Sequence, residues 1–149
     1  MAPRPVTQAP SPVLRIDLEL NTGRFTVRPD GVVVDDNQTP WGRIDADGTL
    51  YRQDGSVFAR VGRDGSITLD DPSRVTDASF GGARIVGDAL RFIEQGVDQE
   101  YEHVEGDVLV REDQRLIVPG LTPDRVRTVL AMDFLVGWVV LESESHGYF

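Results

Sequence analysis

Three Asp-Gly pairs at one fixed spacing are the feature that most limits how this chain can fold. The pairs are Asp30-Gly31, Asp47-Gly48 and Asp64-Gly65, and each begins 17 residues after the previous one. A repeated unit this short cannot bury an apolar face alone, so we expect neighbouring units to stack around a shared core. Aligned on the Asp, apolar residues recur in three columns: Val33, Leu50 and Ile67; Trp41, Phe58 and Val75; Ile44, Val61 and Ala78.

Each Asp-Gly pair is typical of a turn between two strands. Tight hairpin turns require positive φ, which Gly adopts freely and Asp more readily than most residues. In the second unit the sequence predicts strands at 49–52 and 57–61, with turns at 53–56 and 62–65. Asn37-Gln38 occupies the corresponding turn of the first unit. The chain is therefore predicted to be built from β-hairpins.

Two of the repeated columns have opposite parity along their strand. Trp41 and Phe58 lie an odd number of residues before Ile44 and Val61. Alternate residues of a regular strand point to opposite faces, so the two columns cannot both face one core. Either a β-bulge separates them or both faces are partly buried.

The flanking segments predict further strands. Residues 14–20 alternate apolar and charged side chains, as a half-buried strand does, and 21–23 then turn the chain towards a return strand that starts at Phe25. The third unit decays after Pro72, and 78–82 is predicted to cross irregularly. The run 84–93 fits a hairpin turning at Gly87-Asp88, although its apolar spacing also fits a short helix.

Later residues repeat the same Gly-Asp turn. Gly106-Asp107 precedes the apolar run 108–110, which favours a hairpin over a helix at 84–93 and leaves both open for 80–120 as a whole. The last strand is predicted at 115–118, ended by Pro119-Gly120.

The C-terminal segment is predicted to be a helix over about 122–141. Thr122 suits the N-cap, Pro123 the first helical position, and Asp124 the positive end of the helix dipole. The run 126–141 is apolar around nearly its whole circumference, although its valines and Trp138 also suit a strand. We therefore predict a mainly β (α+β) fold in which hairpins form a shallow barrel around this helix.

One domain is expected, spanning 13–141, with a Pro-rich tail at 1–12 and a polar tail at 142–149. Residues 1–12 have no apolar core of a secretory signal, and no run of about 18 apolar residues predicts a membrane span. A cytoplasmic location is the expectation.

The repeated hairpins resemble the β-flower proteins, bacterial domains of shallow, roughly symmetric barrel form. These are similar in shape to Tubby-like and phospholipid-scramblase-like domains, where an apolar C-terminal helix fills the barrel. The residues that carry the resemblance are the segments 41–44, 47–51, 53–58, 60–62 and 64–67, together with the final helix. The resemblance implies a fold and no activity. Tubby-like domains bind phosphoinositides through basic pockets, whereas this chain has no lysine.

Composition excludes several kinds of chemistry. There is no cysteine, so disulfides, thiolate metal sites and cysteine nucleophiles are absent, and all 15 basic residues are arginine. The net charge of −10 makes nucleic acid an improbable partner, because phosphate binding requires a cationic surface. No cofactor is predicted.

No metal site is predicted either. Asp45 and Asp47 have the spacing of half a calcium loop, but the position of the first ligand is taken by Arg43. His103 lies among Glu100, Glu102 and Glu105, which indicates a surface histidine in an acidic patch.

Asp133 is the one acidic residue inside the apolar helix. A buried, unpaired carboxylate is costly, so Asp133 should be exposed, protonated or paired with an arginine. An Asp133→Asn change should cost little if the residue is exposed, and about 3–5 kcal/mol if it strands a buried arginine.

Four aromatic residues, Trp41, Tyr51, Phe58 and Trp138, could line an apolar pocket, or they could simply fill the core. The first functional hypothesis is a non-enzymatic binding or scaffold module for a protein partner or a small apolar ligand. The alternative is a structural or self-protection protein whose acidic surface meets a basic partner. A hydrolase that uses an Asp/Glu pair is the third.

Overall fold

The computed structural model describes residues 12–71 and 80–145, with side chains described for 12–71 and 81–137. Twelve strands of this part form one antiparallel sheet in which every strand pairs with its neighbours in the sequence. The strands are β1 Leu20–Asn21, β2 Phe25–Val27, β3 Val32–Asp35, β4 Pro40–Ile44, β5 Thr49–Arg52, β6 Val57–Val61, β7 Ser66–Leu69, β8 Phe80–Val86, β9 Ala89–Glu94, β10 Val97–Glu105, β11 Val108–Arg111 and β12 Gln114–Ile117. The predicted mainly β fold of hairpins is confirmed. The sheet is open, with β1 and β12 at its two edges.

The 17-residue units are linked to one another through their Asp-Gly turns. The backbone N–H groups of Ile44 and Val61 donate to the carbonyls of Gly31 and Gly48, each at 2.8 Å. In the third unit the donor is Ile85, seven residues beyond the position that the period predicts. The predicted position, Ala78, lies outside the described residues.

Glycine is required in these turns for two reasons. Gly48 has φ +100°, and a Cβ there would lie 2.2 Å from the carbonyl oxygen of Val61. Gly31 and Gly65 have equivalent surroundings, with closest approaches of 2.1 and 2.0 Å. The repeated glycine is therefore required both by the conformation of the turn and by the close contact between successive units.

A bulge resolves the parity of the two apolar columns. On β4, Gly42 pairs with Val33 and Pro40 pairs with Val34, which leaves Trp41 as the extra residue. Phe58 is the extra residue of β6 in the same way. Of the two explanations that the sequence allowed, the bulge is confirmed.

The segment 80–120 consists of hairpins, as predicted for 84–93, and contains no helix. β8 and β9 turn at Gly87-Asp88, and β10 and β11 turn at Gly106-Asp107. The predicted irregular crossing at 78–82 is wrong where it can be examined, because Phe80 to Gly82 begin β8 with a bulge against β9.

The predicted strand over 14–20 is also wrong, since only Leu20 of this run lies in a strand. Its backbone is bonded elsewhere. The N–H groups of Val13 and Leu14 donate to the carbonyl of Ala46. The hydroxyl of Thr128 accepts from the N–H of Arg15 and donates to its carbonyl, at 2.9 and 2.8 Å. This segment is thereby fixed to the β4–β5 turn and to the helix, without pairing as a strand.

The C-terminal helix, α1 Val126–Ser145, follows a 3₁₀ turn at Pro123–Arg125 and ends four residues beyond the predicted end. Thr122 occupies the N-cap, but its hydroxyl makes no capping bond and accepts from Arg125 instead, at 2.6 Å. Residues 128–135 are all buried, as a helix enclosed by the sheet requires. Phe134 packs against Phe58 and Phe92, with ring centroids 5.8 and 6.2 Å apart. Within the described residues, no helix combines the length and apolarity needed to cross a membrane.

Candidate ligand-binding cavity

A cavity of about 280 Å³ opens beside α1, between the first and the last hairpins of the open sheet. The hairpin β1–β2 supplies Thr22, Arg24 and Phe25, whereas β11–β12 supply Leu109, Arg111 and Leu116. The helix contributes a floor of Asp133, Val136 and Gly137. The cavity therefore lies where the edges of the sheet leave the helix uncovered.

Two aromatic rings form one wall. Phe25 and Trp41 pack edge to face, with centroids 5.5 Å apart and planes at 86°. The indole Nε1 of Trp41 donates to Asp35 Oδ2 at 3.1 Å, and Asp35 Oδ1 accepts the backbone N–H groups of Asn37 and Thr39. The bond from Trp41 and these backbone bonds hold the pKa of Asp35 below its usual value. The turn thus anchors the indole, and the bulge at Trp41 directs it to this side of the sheet.

Gly137 keeps the floor of the cavity open. Glycine inside a helix costs about 1 kcal/mol relative to alanine. A Cβ at Gly137 would meet no described atom within 4 Å, so no contact in the described part of the chain requires glycine here. The one feature at this position that a larger side chain would change is the cavity itself.

A buried carboxyl pair lies beside the cavity. Asp133 is 6 % exposed and lines the floor, and Glu102 of β10 is 1 % exposed and lies behind it. Arg111 Nε and Nη2 donate to Glu102 Oε2 at 3.3 and 3.1 Å, and Nη2 is 3.5 Å from Asp133 Oδ2. One guanidinium therefore serves two carboxyl groups. Loss of Asp133 alone would not strand Arg111, because Glu102 would remain its partner.

A shared proton is the arrangement that satisfies both carboxyl groups of the pair. Glu102 Oε1 and Asp133 Oδ2 have no other hydrogen-bond partner among the described residues, and a proton between the two side chains satisfies both. Burial, with the adjacent charge of Asp133, raises the pKa of Glu102 to about 9. Burial also raises the pKa of Asp133. With its pKa raised to about 9, Glu102 keeps its proton at neutral pH and can share it with Asp133.

Four further polar residues line the cavity: Thr22, Arg24, Tyr101 and Gln114. The charge of Arg24 acts on Asp133, but among the described residues Arg24 makes no ion pair and no hydrogen bond. The guanidinium of Arg111 lies over the ring of Tyr101, 4.5 Å from the ring centroid. Burial raises the pKa of the Tyr101 hydroxyl. The cavity thus combines apolar walls with a few polar groups, the usual composition of a small-molecule site.

Of the three singled-out aromatic residues whose side chains are described, only Trp41 lines this cavity. Phe58 is a core residue, 1 % exposed. Tyr51 stacks under Arg43 at 4.2 Å, and its hydroxyl donates to Asp45 at 3.2 Å. The side chain of Trp138 lies outside the described residues.

Sequence reasoning missed Glu102, which it had grouped with the exposed glutamates around His103. The bulge at Tyr101 separates Glu102 from the exposed start of β10. Beyond the bulge, Glu102 lies on the same buried face of the strand as Val104. Its alternation with Val104 is the signal that could have identified it. His103 does lie among exposed carboxylates, bonded to Glu105 and Glu100 at 3.0 and 2.9 Å, which raise its pKa.

Among the side chains of 12–71 and 81–137, no group of three or more His, Asp or Glu residues could hold a metal ion. The carboxylate of Asp45 pairs with Arg43, and Asp47 accepts the N–H of Thr49, as turn residues do. No protein-family model, curated protein or solved structure matches this chain.

Proposed function

We propose that this protein is a non-enzymatic binding module that holds a small, largely apolar ligand in the cavity beside α1. The observation that carries the proposal is Gly137, a helical glycine for which the described packing gives no reason and which leaves the floor of the cavity open. The aromatic wall of Phe25 and Trp41 supports it, because flat apolar surface at a rigid site favours binding of rings and short chains.

We also propose that the fold is of the β-flower type. Support comes from the consecutive hairpins, from the turns that link successive units, and from the buried helix that they enclose.

The first experiment is native mass spectrometry of protein purified gently from its own host, compared with the denatured mass. A reproducible extra mass would be the ligand. It should be lost in Gly137→Leu, which fills the cavity with a side chain, and kept in Gly137→Ala, which adds only a methyl group. Both variants remove a helical glycine and should raise the thermal midpoint, so loss of the ligand would not reflect unfolding. Equal occupancy of Gly137→Leu and wild type would refute the proposal.

An acidic surface for a basic partner is the alternative, and ionic strength separates the two. Binding of an apolar ligand should change little between low and high salt, whereas binding of a basic partner to exposed carboxylates should weaken steeply.

A hydrolase is a second candidate function because the structure does bring an Asp/Glu pair together. Paired carboxyl groups with separated protonation states can act as acid and base. Turnover of nitrophenyl esters or glycosides that is lost in Asp133→Asn would favour this candidate over a binding module.

A further inference from the structure

The charges around the cavity do not cancel. Arg24 and Arg111 both line it, whereas the carboxyl pair contributes a single lining residue, Asp133. Arg111 is committed to that pair through Glu102 and Asp133. Arg24 makes no ion pair and no hydrogen bond with a described residue, although its charge acts on Asp133 at longer range.

Most of the described arginines make an ion pair with a carboxylate. The chain has a net charge of −10, and neighbouring arginines such as Arg28 and Arg15 each have an aspartate partner. Arg24, an exposed residue of the β1–β2 turn, has none in the described part of the chain. A local positive charge at the mouth of an apolar cavity can select an anion at short range, even where the molecule as a whole repels one.

The rest of the cavity limits what kind of anion fits. Much of the wall is apolar, supplied by Phe25, Trp41, Leu109, Leu116 and Val136, so most of the ligand should be apolar as well. The single unpaired positive charge of Arg24 favours a ligand with one negative charge. Its planar guanidinium has the geometry to form hydrogen bonds with both oxygens of a carboxylate.

We propose that the cavity takes a small amphipathic carboxylate, whose apolar body lies against Phe25, Trp41 and Val136 and whose carboxylate pairs with Arg24. This inference rests on the proposed binding function and adds the charge and chemical class of the ligand. Arg111 stays with its carboxyl pair and closes the inner end of the site.

The test compares two probes of the same shape, phenylacetate and phenylacetamide, by ligand-observed NMR titration and calorimetry. A charge-assisted bond to Arg24 should make the acid bind about ten-fold more tightly than the amide. In Arg24→Gln the two probes should bind equally, with the amide unchanged from wild type. Arg28→Gln is the matched control, because Arg28 follows the same hairpin but does not line the cavity, and it should keep the preference.

The outcomes separate the inference from the function on which it rests. One outcome is that the wild type binds the acid and the amide equally and that both are lost in Gly137→Leu. That result would refute the inference that the ligand is a carboxylate, but the proposed binding function would stand. A preference that survives Arg24→Gln would overturn the assignment of Arg24. If neither probe binds and the protein purified from its host also carries no extra mass, the binding function itself fails.

Discussion

Replacing Glu102 by glutamine tests the shared proton directly. Glutamine has nearly the same shape as protonated glutamate, donates a hydrogen bond to Asp133 through its amide, and still accepts from Arg111 through its oxygen. The replacement therefore keeps the contacts of the buried pair and removes only its dependence on a proton.

The expected size of the effect follows from the pKa of Glu102. In the folded protein this pKa is raised to about 9, from an ordinary value of 4.5. Between these values the folded state keeps a proton that the unfolded state has released, so the wild-type free energy of unfolding falls as pH rises. The loss is about 1.4 kcal/mol per pH unit. Relative to wild type, Glu102→Gln should gain about 3 kcal/mol between pH 5.5 and 7.5.

That gain is insensitive to the folded-state pKa, provided it lies well above 7.5. Only the release of the proton in the unfolded state determines the slope in this range. Contributions of carboxylates elsewhere, such as the lowered pKa of Asp98 beside Arg91, are common to both proteins and cancel in the difference.

The assay is urea denaturation followed by circular dichroism, at half-unit steps from pH 5.5 to 7.5. Glu94→Gln, which changes an exposed glutamate on the adjacent strand β9, is the control and should stay parallel to wild type. A constant difference between Glu102→Gln and wild type across this range would refute the reasoning. It would mean that Glu102 is ionised in the folded protein and that Arg111 alone compensates both carboxylates.

Two further perturbations test how the units and the helix are held. Gly48→Ala should lower the free energy of unfolding by at least about 2 kcal/mol more than Gly55→Ala does. Both glycines have positive φ, but only Gly48 lies against a neighbouring carbonyl. Equal losses in urea denaturation would show that this close contact does not affect stability. Thr128→Val should cost about 1–3 kcal/mol by removing both bonds to the backbone of Arg15, whereas Thr128→Ser should keep them. Hydrogen exchange at the Arg15 amide would report the same loss, and unchanged protection there in Thr128→Val would contradict it.

Much of the hairpin architecture could be predicted because turn chemistry is local. The φ requirement at Gly48 or Gly55 depends on a few adjacent residues, so the Asp-Gly pairs predict β5, β6 and the turns around them at the observed bounds. The all-round apolarity of α1 likewise predicts burial without knowledge of what surrounds it.

The two wrong predictions have a common cause. The alternation in 14–20 predicts a strand if the backbone finds a strand partner, but its partners are Ala46 and the hydroxyl of Thr128, far away in the sequence. At 80–82 the missing repeat predicts irregular structure, but these residues pair with β9 and therefore form a strand.

The sequence by itself determined the repeat, the turns and the buried helix. It also excluded chemistry that requires a cysteine or lysine side chain, and its negative net charge argued against nucleic acid as a partner. Only the tertiary structure decided which polar residues meet. Glu102, Arg111 and Asp133 come from two strands and a helix, and the bulge at Tyr101 alters the parity that a strand pattern would assign to Glu102. Periodicity describes how one element presents its faces. A shared proton and a cavity depend on how separate elements pack, and that arrangement is set by long-range contacts.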